Sequence, residues 1–113
     1  MIKISLDEAY AFDYLSILSI KEDQGVVDSL TPNLCKGEIM EGIGVSKYAS
    51  IINSPEYKIL YEANLKTFAA VDKAKEDKVT ASYVDNCNYE RYLAKRALQK
   101  KFFEASLSER KSQ

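Results

Sequence analysis

An all-α fold, a small helical bundle organised round one long antiparallel helical hairpin, is what this sequence predicts. Three observations carry that expectation. Four segments place apolar residues at helical spacing, and several of them open on residues suited to capping a helix. The last two of these segments are long and joined by a short connection, which forces an antiparallel pair. The chain has 113 residues, 46% of them apolar, which suits one soluble domain with a single modest core. Residues 1–113 are therefore read as one helical domain.

The first helix opens at "SLDE", where Ser5 can cap free amides while Glu8 reaches back in a capping box. It is expected from about Leu6 to about Asp23, with Gly25 as its stop. Its apolar residues, among them Leu6, Tyr10, Phe12, Leu15, Ile17, Leu18 and Ile20, point almost all round the wheel, so this helix should be buried on most sides. Residues 24–54 follow as a short, irregular helical segment. In it Thr31 and Pro32 suit a helix start, "EGIG" a break, and Ser46 the cap of a second short helix. The next helix begins at "SPEY", with Ser54 as cap, Pro55 at the first position and Glu56 at the positive end of the dipole. It should end between Asp77 and Thr80. The last helix runs from about Thr80 to about Ala105, and residues 106–113 read as a frayed tail.

The sequence excludes several classes of chemistry. Two cysteines and no histidine cannot complete an ordinary zinc site, nor a Ser/His or Cys/His nucleophile. "GIG" lacks the remaining glycines and the preceding strand of a phosphate loop. Glu38 and Glu41 are spaced like metal-binding carboxylates, but the next helix offers no matching acidic pair. No metal and no cofactor are expected. The opening "MIKISLDEAYAF" does not read as a signal peptide, and no apolar run is long enough to span a membrane. A cytoplasmic setting with Cys35 and Cys87 reduced is the consequence. Lys100 and Lys101 beside Phe102 and Phe103 read as a solvated face next to core aromatics rather than a nucleic-acid platform. Charge is uneven: residues 1–45 hold three cations and eight anions, and residues 88–113 hold seven cations and three anions. An acidic first helix packed near a basic last helix accounts for this.

The sharper signal is misplaced polarity. On the last helix Asn88, Arg91 and Lys95 share the inward stripe with Val84, Cys87, Ala94, Leu98 and Phe102. On the preceding helix Asn64 sits at the centre of the apolar arc and Asp72 lies beside Tyr61 and Leu65. On the first helix Asp13 and Lys21 bracket Ile17. An unpaired buried charge costs several kcal/mol, so these seven residues are expected to meet in one polar cluster. Asp13 and Asp72 can neutralise two of Lys21, Arg91 and Lys95, with Asn64 and Asn88 closing the hydrogen bonds. Three cations against two anions also leave one positive charge, and Arg91 and Lys95, one turn apart, could grip an anion together.

The same positions carry a resemblance. "ISLDEAYAFDYLSILSIK", with Ser5, Glu8, Asp13 and the run Ile17 to Lys21, resembles the opening of a small, functionally uncharacterised helical family of bacteria and their phages. "NLKTFAAVD" (Asn64 to Asp72) and "NYERYLAK" (Asn88, Arg91, Lys95) are similar to its later patterns. The resemblance implies an insertion at residues 24–54 and no established activity. Some members accompany glycosyltransferases, which points toward carbohydrate metabolism. The expected function is a binding or accessory domain with a polar, slightly cationic groove for a small anionic ligand or partner. The alternatives are an enzyme on a small anionic metabolite such as a sugar nucleotide, with Arg91 and Lys95 stabilising charge, and a structural phage or assembly protein without a ligand. The nearly all-round apolar first helix and eight tyrosines predict a homodimer.

Overall fold

The computed structural model describes residue 2 and residues 4–103. The expected tail at residues 106–113 lies outside them. The described residues form five helices and no strand: α1 (Glu8–Asp23), α2 (Leu30–Ile43), α3 (Val45–Ile52), α4 (Pro55–Lys75) and α5 (Ala81–Phe102). The all-α expectation holds, and so does the hairpin, since α4 and α5 share the most extensive packing in the molecule.

Local chemistry sets most helix ends. Ser54 accepts a 3.1 Å hydrogen bond from the Tyr57 amide, and Thr80 does the same for Tyr83, so both long helices begin on a hydroxyl cap. α1 ends at Gly25, whose φ of 74° lets the Val26 amide reach back to the Lys21 carbonyl at 2.8 Å. α4 ends in the same way without a glycine. Asp77 takes φ 58°, its amide bonds the Ala74 carbonyl, and the Lys78 amide bonds the Lys73 carbonyl. An aspartate tolerates this left-handed position better than most side chains. The expected capping box on α1 is not formed. The helix starts at Glu8, two residues later than expected, and neither Ser5 nor Asp7 caps it through its side chain.

Residues 24–54 are better ordered than their sequence suggests. Asp28 accepts the Leu30 and Thr31 amides at the start of α2, and Gly44, at φ 91°, separates α2 from α3. Gly37 and Gly42 lie inside α2, so the break comes at the last glycine of "EGIG". The segment feeds the core: Ile39, Tyr48 and Ile51 are buried with Phe12, Leu15, Leu60, Ala94, Leu98 and Phe103. Phe12 packs on Tyr48 and edge-on against Tyr57. α1 crosses the hairpin. Near its start it touches α5, where the Ala9 amide meets Gln99, and at its end it meets α4, where the Tyr61 hydroxyl donates to Asp23. That crossing decides which of the polar residues can meet.

A polar centre under the first helix

Asp13 is 6% exposed and lies where α1 crosses α4 and α5. One carboxylate oxygen accepts from the Asn64 amide at 2.9 Å. The other accepts from the Arg91 guanidinium at 3.0 Å and lies 3.7 Å from the Lys95 ammonium. Asn64, itself 1% exposed, also donates to the Ser16 hydroxyl at 2.6 Å, and Ser16 donates to the Asp13 carbonyl. Four of the seven expected residues, Asp13, Asn64, Arg91 and Lys95, therefore meet as read from the sequence. Among the described residues no buried side-chain nitrogen or oxygen lacks a hydrogen-bond partner.

The other three do not join. Asp72 is exposed. It sits with Tyr61 and Leu65, roughly 80–160° round α4 from the buried residues Leu60, Asn64, Thr67 and Ala70. The apolar arc of α4 is wider than its buried arc, for Leu65 is 45% exposed, and Asp72 falls in the difference. Lys21 lies eight residues past Asp13, roughly 12 Å along the axis, and serves the last turn of α1, where a cation suits the negative end of the dipole. Asn88 points to solvent and donates to the Val84 carbonyl of its own helix, because α1 has left α5 for α4 by that level.

Of three buried polar residues outside the expected set, Ser16 joins the centre, and Thr67 and Gln99 lie one turn beyond its members. Ser16 is 0% exposed, three residues after Asp13. Thr67 is buried three residues after Asn64, and its hydroxyl donates to the Ala63 carbonyl at 2.8 Å. Gln99 is 3% exposed, four residues after Lys95; its Oε1 accepts from the Ala9 amide at 2.8 Å and its amide donates to Glu8 at 3.3 Å. Each continues a flagged stripe by one helical turn, and extending the stripes by three or four positions would have found them.

The charges do not cancel. One carboxylate faces two cations, whose side chains keep 28% (Arg91) and 20% (Lys95) exposure. Lys95 also lies 4.3 Å above the Tyr10 ring. Beside it Tyr10, Tyr92, Lys95, Arg96 and Gln99 line a small pocket of about 40 Å³. On the other side of α1 a wider groove of about 640 Å³ runs between α1 and α2, lined by Leu6, Tyr14, Leu34 and Glu38 among others. Asp7 and Tyr10 border both. Both cysteines are free, and burial followed by the nearby Glu38 pushes the Cys35 thiol up. Among the described residues no group of three or more histidine, cysteine, aspartate or glutamate side chains could hold a metal ion. None of the helices is long and apolar enough to cross a membrane, among the described residues.

The fold and the centre together define a helical bundle in which, among the described residues, one deeply buried carboxylate meets two half-buried cations. No family model matches this chain, and no curated protein or solved structure matches it either.

Proposed function

We propose that this protein is a non-catalytic binding domain that takes an anionic group, a carboxylate or phosphate, at the α1/α5 pocket, and that it works as a homo-oligomer. The observation behind it is the unbalanced charge: Arg91 and Lys95 both engage the single carboxylate of Asp13 while keeping part of their surface in water. Lys95 and Arg96 line the pocket together with one carboxylate, Asp7, and the Tyr10 and Tyr92 rings form its walls, so its lining keeps a cation in excess. A planar guanidinium and an ammonium beside aromatic faces suit an anionic group that enters from solvent. In this proposal the chain acts in the cytoplasm with both thiols reduced, and its resemblance to small helical proteins of bacteria and phages is kept as its proposed kinship. An enzymatic role on a sugar nucleotide has less support, because a pocket of about 40 Å³ receives the tip of an anion and not a nucleoside.

Thermal denaturation with inorganic phosphate or succinate at low ionic strength tests this. An anion at about ten times its Kd stabilises by about 1.4 kcal/mol, which raises the Tm of a domain this size by several degrees. Lys95→Met removes one of the two cations and leaves Arg91 on Asp13, so the fold persists while the shift should vanish. An equal shift in wild type and Lys95→Met, or none in either at about ten millimolar anion, where screening is still weak, would show that the centre is structural only.

A further inference from the structure

We infer that the anionic group received at the α1/α5 pocket is supplied by a second copy of this chain, which packs its α1/α2 groove over that pocket about a twofold axis near Tyr10. This rests on the anion-binding reading above. α1 is buried beneath but not above. Tyr10 (45%) and Tyr14 (54%), one turn apart on its outer side, and Leu6 (54%), just before it, are half exposed. Leu34 extends the apolar surface across α2, and the stacked pair Tyr89 and Tyr92 extends it across α5. Half exposed, four tyrosines at about 150–250 Å² each present roughly 300–500 Å², and Leu6 and Leu34 add to it. That supplies the apolar centre of one partner's share of a standard interface, about 800 Å².

The occupant follows from charge and symmetry. The α2 edge of the face is acidic, with Glu38, and the α5 edge is basic, with Lys95 and Arg96. A twofold axis running along α1 lays α1 parallel on its copy and exchanges the two edges. The acidic edge of each chain then meets the basic edge of the other, twice, as an isologous interface requires. Glu38 is thereby brought to the Lys95 and Arg96 side. A lipid surface fits less well, since acidic side chains border the groove. Residues 104–113, "EASLSERKSQ", carry too little apolar surface to fill it.

Sedimentation velocity on the full chain at low ionic strength tests the pairing. Wild type should be dimeric at tens of micromolar, an ordinary interface affinity. Glu38→Arg and Arg96→Glu should each raise the dimer Kd by about tenfold or more, because each creates two like-charge contacts. The double variant should regain most of the wild-type affinity. Tyr14→Glu should give monomer whatever the charges, with its helical circular dichroism unchanged. Leu6→Glu, just before α1, repeats that test outside any helix. A wild type monomeric at about 100 µM, a dimer indifferent to Glu38→Arg, or a double variant no better than the single ones would overturn the inference. So would binding of the monomer to anionic vesicles through this face. Loss of the dimer with the phosphate shift intact would remove the second copy and leave the anion pocket standing.

Discussion

Asp13 is the residue on which three helices converge, and its removal should be the most damaging single change in the polar centre. Asp13→Ala leaves Arg91 and Lys95 facing each other and strands the Asn64 amide. A broken buried pair costs about 3–5 kcal/mol, but both cations keep partial access to water, so about 2–3 kcal/mol is expected. Arg91→Ala leaves Asp13 with Asn64 and Lys95 and should cost less. In urea unfolding, the Asp13→Ala and Arg91→Ala cycle should show coupling of about 1 kcal/mol or more, while Asp72→Asn with Arg91→Ala should add within about 0.5 kcal/mol. Coupling between Asp72 and Arg91 would contradict the exposed position of Asp72. The sequence already showed that Asp13, Asn64, Arg91 and Lys95 needed partners, because a charge on an apolar stripe is a local fact. It did not show that Asp72 escapes, because that depends on how much of the apolar arc of α4 the neighbouring helices cover.

Helix ends divide in the same way between what neighbours in sequence decide and what the fold decides. Ser54 caps α4 as the pattern "SPEY" requires, since donor and acceptor lie three residues apart. The start of α1 is different. The Ala9 amide, one of the free donors of its first turn, is satisfied by Gln99 from ninety residues away. Glu8, which the local pattern assigned to a capping box, instead accepts from the same Gln99. Nothing within the first ten residues could have revealed this; only packing the basic end of α5 against the start of α1 does. Gln99→Ala should therefore strand a buried donor and destabilise by about 1–3 kcal/mol. Ser5→Ala, which would cost about 1 kcal/mol in a working cap, should be close to neutral. The comparison is a pair of thermal or urea melts, and a larger loss from Ser5→Ala than from Gln99→Ala would restore the local capping box.

For the molecule as a whole, the least legible stretch proved to be structural. Residues 24–54 show glycines and weak periodicity, yet Ile39, Tyr48 and Ile51 close the core over Phe12. Their burial depends on α1 and α4 lying beneath them, which no local pattern states. An uneven charge distribution was legible at this scale, and its counterpart in the fold is α1 against α5, where Asp13 meets Arg91 and Lys95. The aromatic centre of that core gives the whole fold a pH dependence. Burial chiefly, then the neighbouring Tyr48, Tyr61 and Cys35, raises the Tyr57 hydroxyl well above its ordinary value of 10.0. A raised folded-state pKa means that the native state keeps a proton which the unfolded chain releases. Its contribution is fully present below about pH 10 and is lost as the pH rises above that value. The loss approaches about 1.4 kcal/mol per pH unit for one such group. Unfolding free energies from urea titrations between pH 9 and 11 should therefore fall more steeply for wild type than for Tyr57→Phe, which has no proton to release. Tyr48 and Tyr61 are shifted in the same direction and are present in both proteins, so the difference between the two slopes isolates Tyr57. Parallel slopes would mean that water reaches the Tyr57 hydroxyl, and that the core formed by α1, α3 and α4 is open on that side.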